Sequence, residues 1–96
     1  MKLTLVLYLP SRTNQNSIGV EDGQIVTSRY FPRAWLEAAQ SYLPGVPEHL
    51  SVLAWMLDVH AGKVRVEDRL PGWGWGDPHK ARAYLKAELD RRGIEW

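Results

Sequence analysis

The chain has 96 residues, 45% of them hydrophobic and 24% charged, which is the mixture of one small globular domain and far from that of a disordered polymer. Twelve basic and eleven acidic side chains leave a net charge of +1, so there is no bulk attraction to nucleic acid or membrane, and only local clustering would supply one. Cysteine is absent, which removes disulfides, thiolate metal sites and thiol catalysis together and suits a reducing compartment; we expect a soluble, cytoplasmic protein.

Lys2 followed by the apolar run 3–9 has some features of a secretion signal, but the run is short and Pro10-Ser11-Arg12-Thr13-Asn14 offers no small-x-small cleavage site. It is better read as a central strand, buried on both faces and stopped by Pro10. The polar residues 11–17 follow as a long exposed loop. Residues 18–21 and 24–27 flank Asp22-Gly23, a strong hairpin turn signal; the two segments pair, or the second returns beside the opening strand.

Pro32 suits the first turn of a helix that carries Trp35, Leu36, Ala39, Tyr42 and Leu43 on one stripe and ends at Pro44-Gly45. Residues 47–61 allow two readings. Pro47-Glu48 would open a helix with Gly62 as its stop; alternatively 50–59 is a strand that turns at His60-Ala61-Gly62 into the alternating run 63–67. The last element is a helix with Asp77 as N-cap and Pro78 at its first position. Ala81, Tyr84, Leu85 and Leu89 form its stripe, and Gly93 closes it.

A comparison of the two halves favours the strand reading. Residues 3–9 lie over 50–56 without a gap, Gly23-Gln24-Ile25 over Gly62-Lys63-Val64, and Ala39 with Tyr42-Leu43 over Ala81 with Tyr84-Leu85. The expected fold is therefore α+β: a four-stranded, mainly antiparallel sheet with two helices on one face, arranged as a ββαββα pseudo-duplication of 1–45 and 48–96. The alternative, if 47–61 is helical, is three helices and a smaller sheet. In the two-helix arrangement one sheet face is left solvated or free for a partner.

The most pointed feature is Pro71-Gly72-Trp73-Gly74-Trp75-Gly76-Asp77-Pro78, between the fourth strand and the last helix. Glycines do not cover their neighbours, so the two indoles either close over the core as a lid or present large, rigid contact area to a partner. If this loop is extended, we expect one ring to pack inward and one outward. The proposed partner-binding residues are Trp73 and Trp75 as anchors, with Arg69 and Lys80 as flanking polar contacts.

Lys80, Lys86 and Arg91 support an alternative, an aromatic and cationic surface for single-stranded nucleic acid, but Glu88 and Asp90 interleave with them and Arg82 and Lys86 form a like-charge pair four apart. A weaker alternative, a small metal-dependent hydrolase, would draw ligands from Asp58, His60, Asp77 and His79; each has a plainer structural role, and no metal-ligand spacing joins them. Trp96 is read as an anchor behind Ile94 that closes the core. No cofactor or catalytic residue is indicated. The expected function is a non-enzymatic adaptor or stoichiometric inhibitor that binds another protein, of the kind phages and mobile elements carry, an analogy from size alone. A homodimer through the uncovered sheet face is left open.

Overall fold

The computed structural model describes residues 3–10, 15–66 and 71–96. Seven elements follow in order: β1 (Thr4–Pro10), β2 (Gln15–Glu21), β3 (Gln24–Thr27), α1 (Arg33–Gln40), α2 (Glu48–His60), β4 (Gly72–Trp75) and α3 (Pro78–Arg91). The strands make one antiparallel sheet in the order β3-β2-β1-β4. The class is α+β, with four strands and three helices among the described residues.

β1 is central, as its apolar run demands, but it is buried on one face only. Leu5, Leu7 and Leu9 are fully buried, whereas Thr4 and Val6 are half-buried and Tyr8 is exposed. The alternation of two transfers across the ladder: Leu5 pairs with Val20, Leu7 with Ile18 and Leu9 with Asn16. The hairpin reading of β2 and β3 holds, with Asp22 (φ 48°) and Gly23 (φ 84°) forming a turn whose two central residues are left-handed, and Asp22 also accepts a bond from the Leu3 backbone N–H at 3.1 Å. β2 begins earlier than expected. Gln15, Asn16 and Ser17, read as loop, pair with Pro10, Leu9 and Tyr8. Residues 11–14 of that loop lie outside the described residues.

The segment 47–61 takes the helical alternative. Residues 51–59 of α2 are buried without exception, so the helix is apolar all round and carries no stripe for periodicity to detect. α2 lies against β2 and β3, α3 lies against β1, and both pack on one sheet face; α1 packs against α2. With 50–56 helical and 3–9 extended, the gapless overlay of the halves does not describe related elements, and ββαββα is replaced by βββααβα. The described part of 63–67 is not a strand either. The sheet keeps four strands because the glycine-tryptophan segment, read as a loop, supplies the last one.

Two polar devices fix the helical layer. The buried Ser51 hydroxyl donates to the Ala39 carbonyl at 2.8 Å and accepts from the Leu43 N–H at 2.8 Å, which ties the end of α1 to the first turn of α2. The Asp77 carboxylate accepts from the N–H groups of His79 (2.9 Å) and Lys80 (3.3 Å), the cap expected from sequence. Among the described residues, no helix is long and apolar enough to cross a membrane.

Candidate functional site

The face of the sheet turned away from the helices is built from the even residues of β1 and their partners. Thr4, Val6, Tyr8 and Pro10 stand beside Glu21, Gly19, Ser17 and Gln15 of β2, with Gln24 and Val26 of β3 on one flank. On the other flank β4 pairs Trp73 with Leu7 and Trp75 with Val6, and the register slips between those two pairs. That slip decides the fate of the tryptophans. In a regular strand, residues two apart share a face. The bulge inserts one extra residue, so Trp73 stands opposite a core-facing leucine and Trp75 opposite an outward-facing valine.

The two rings have accordingly different surroundings. Trp73 is half-buried, packs against the core cluster and lies against the His60 ring with centroids 4.6 Å apart. It is a lid. Trp75 is 69% exposed and Tyr8 44% exposed, which puts two large aromatic side chains on the same open face. Extension alone would put both rings on one face, contrary to the reasoning from sequence; the inward and outward separation comes from the bulge.

Glycine is required at two points of this construction. A Cβ on Gly74 would run into the Tyr8 ring, which lies across β4. Gly76 adopts φ 95°, and a Cβ there would overlap the Thr4 carbonyl oxygen.

Among the described residues, charge is nearly absent from this surface. The four strands hold no lysine or arginine, and Glu21 at one end of the face is their one ionisable acid. The cations of the nucleic-acid alternative sit on α3, in the helical layer. Lys80 is exposed in its first turn, Lys86 lines a cleft, and Arg91 pairs with Glu88. Of the flanking contacts expected from sequence, Lys80 is thus on α3, while Arg69 lies outside the described residues. Trp75 and Tyr8 therefore stand on the sheet, whereas Lys80, Lys86 and Arg91 stand on α3.

The helical side has its own polar clusters. A cleft of about 370 Å³ is lined by Lys63, Arg82, Lys86, Asp90, Glu95 and the Trp96 ring, three cations against two acids. Arg82 lies over that ring at 4.9 Å, and the indole N–H of Trp96 donates to Asp58 Oδ2 at 3.1 Å. Trp96 is thus tied down by its indole N–H, but it does not close the core as expected: it is 38% exposed, and Ile94 is the C-terminal residue that packs against the core cluster. The same carboxylate oxygen accepts from the Tyr42 hydroxyl at 2.5 Å, and this bond pushes the Tyr42 phenol up to about 12, with burial and the Asp58 charge acting in the same direction. Asp58 Oδ1 is buried without a partner among the described residues. Elsewhere, burial and then the Arg92 charge lower the His49 imidazole against an opposing pull from Glu88, and His49 Nε2 lies 3.5 Å from the Tyr84 hydroxyl. Tyr84 is raised, chiefly by burial and then by Glu88. Glu88 is lowered by hydrogen bonding to Arg92, with the Arg91 and Arg92 charges adding to it.

The four residues of the metal alternative are employed separately: Asp58 binds Tyr42 and Trp96, His60 lies against Trp73, Asp77 caps α3, and His79 is exposed. Among the described residues no three His, Asp or Glu side chains come together as a candidate metal site. Sequence reasoning missed Tyr8, Val6 and Val26. The alternation signal for Tyr8 was hidden because Leu3, Leu5, Val6, Leu7 and Leu9 are all apolar, so the run looks buried on both faces. No family model, curated protein or solved structure matches the chain.

Proposed function

We propose that this chain is a non-enzymatic binding protein that docks another protein on its open sheet face, with Trp75 and Tyr8 as the anchoring contacts. One observation carries the reading: the most exposed tryptophan of the described chain and an exposed tyrosine lie together on a face whose strands hold no cation. Aromatic contact area without charge fits the desolvated centre of a protein interface, where tryptophan and tyrosine dominate the binding energy. A nucleic-acid partner would need lysine or arginine around the stacking rings, since phosphate contacts dominate such affinity. An adaptor or an inhibitor would use the surface in the same way.

The test is recovery of a partner from extract of the producing cells, with Tyr8→Ser/Trp75→Ser compared with wild type and with Lys86→Ala. The account expects recovery to fail for the double variant and to persist for Lys86→Ala. Recovery that depends on Lys86 and falls steeply with salt would instead favour the nucleic-acid reading.

A further inference from the structure

The cleft beside α3 is built around one aromatic ring. Leu89, Ile94 and the Trp96 ring form its apolar lining, and Lys63, Arg82 and Lys86 bring three cations to it. No strand residue lines the cleft, so it shares no side chain with the open sheet face. The ring is held before any ligand arrives. Its indole N–H donates to the buried Asp58 carboxylate at 3.1 Å, Arg82 lies over it at 4.9 Å, and the side chain still keeps 38% of its surface exposed. Two side chains that would otherwise lose rotamer freedom on binding are therefore already placed.

The cations are not neutralised within the protein. Among the described residues Arg91 and Arg92 pair with Glu88, whereas Lys63, Arg82 and Lys86 have neither a hydrogen-bond acceptor nor a carboxylate partner. This holds although Asp90 and Glu95 line the same cleft. Asp90 follows Lys86 by four residues, the weaker order for a helical ion pair, and Arg82 and Lys86, also four apart, repel each other along α3. An oxyanion at these side chains relieves that repulsion. It also meets the N–H donors of Arg82, whose planar fork matches a carboxylate or a phosphate better than a lysine does. The volume of about 370 Å³ is at the low end of the roughly 300–1,000 Å³ of small-molecule sites, which suits one ring with its charged head and not a row of stacked bases. Asp90 and Glu95 would repel the successive phosphates of a strand as well.

We infer that this cleft binds a small aryl oxyanion, a single flat ring that bears a carboxylate or a phosphate. The ring packs on Trp96, Leu89 and Ile94, and the oxyanion is taken by Arg82 with Lys63 and Lys86 beside it. The site is additional to the protein-binding face proposed above and does not depend on it.

Titration of the isotope-labelled full chain, followed by NMR at the Trp96 indole N–H, tests this; that signal is assigned as the one lost in Trp96→Phe. The probes are phenylacetate, phenyl phosphate, inorganic phosphate and neutral benzyl alcohol. The expected result is saturable movement of the Trp96 signal by an aryl anion with Kd below about 10 mM, the tighter of the two identifying the head group, and binding about tenfold weaker for inorganic phosphate and for benzyl alcohol. Arg82→Lys keeps the charge but loses the fork, and should weaken the aryl anion about fivefold. Lys63→Ala should weaken it about threefold, and Arg33→Ala, which removes an exposed cation of α1 outside the cleft, should leave it unchanged. No saturable movement by either aryl anion up to about 10 mM overturns the inference. So does inorganic phosphate that binds as tightly as the aryl anions, an Arg82→Lys variant that binds like wild type, or a loss with Arg33→Ala equal to that with Lys63→Ala. A short oligothymidylate that moves the Trp96 signal at lower concentration than either aryl anion overturns it in favour of a nucleic-acid strand.

Discussion

Replacing Tyr42 by phenylalanine removes one hydroxyl and leaves the ring in place, so it isolates the bond to the buried Asp58 carboxylate. That bond is 2.5 Å long, in the range of charge-assisted O–H···O⁻ contacts, and such bonds contribute about 1.5–3 kcal/mol. Asp58 Oδ1 already lacks a described partner, so the variant leaves the carboxylate with the Trp96 indole as its remaining hydrogen-bonded donor side chain among the described residues. A loss of about 2 kcal/mol corresponds to roughly 8–16 °C in Tm for a domain of this size. The pH dependence supplies an independent check. The phenol titrates at about 12 in the native protein against 10.0 without the fold. A raised value means that the contribution is fully present below pH 10, where both states hold the proton. It is lost between pH 10 and 12, where the unfolded chain releases the proton first. Two units would correspond to about 2.7 kcal/mol, and solvent screening at this half-exposed hydroxyl reduces it to about 1 kcal/mol. Urea unfolding followed by circular dichroism at pH 8 and pH 11.5, with Tyr30→Phe as the exposed control, measures both effects. The gap between wild type and Tyr42→Phe should be about 2 kcal/mol at pH 8 and shrink by about half at pH 11.5. No gap at pH 8, or a gap that does not change with pH, would refute the reasoning.

Other expectations concern the glycines and the helical layer. Gly76→Ala should cost about 3 kcal/mol in denaturant unfolding, because it combines a left-handed backbone with overlap on the Thr4 carbonyl, which cannot swing aside. Gly74→Ala meets only the exposed Tyr8 ring and should cost about 1 kcal/mol, while Gly72→Ala, with open space around it, should change stability by less than about 0.5 kcal/mol. Equal costs at the three positions would show that the backbone here is not held as described. Ser51→Ala should lose about 1–2 kcal/mol, since it strands the Leu43 N–H and leaves the Ala39 carbonyl with backbone donors such as the Tyr42 N–H at 3.4 Å; a thermal melt indistinguishable from wild type would contradict that role.

What could be read in the sequence was what carried a local signal. α3 was legible from the Asp77 cap, Pro78 and the Ala81–Leu85–Leu89 stripe, and the β2–β3 turn from Asp22-Gly23, because each is set by a few neighbouring residues. α2 was legible only as one of two readings, from Pro47-Glu48 and the Gly62 stop, because tertiary packing buries it on every side and removes the periodicity by which helices are recognised. β4 was hidden for the opposite reason. Gly-Trp-Gly-Trp has little strand propensity, and the segment pairs because Gly74 and Gly76 let it approach Tyr8 and Thr4 closely. The site was half legible. Its tryptophans stood out by composition, but their separation into a lid and an exposed ring depends on a one-residue slip in pairing with β1, which no spacing along the chain encodes.

That separation is the central claim, and single substitutions of the two tryptophans test it most directly, with Tm and partner recovery measured on the same samples. The account predicts that Trp73→Ala lowers Tm through lost packing on His60 and the core yet still recovers the partner at temperatures where it is folded, whereas Trp75→Ala keeps the wild-type Tm within a few degrees and loses the partner. If Trp75→Ala unfolds the domain, or binds as well as wild type, the exposed ring is not the anchor.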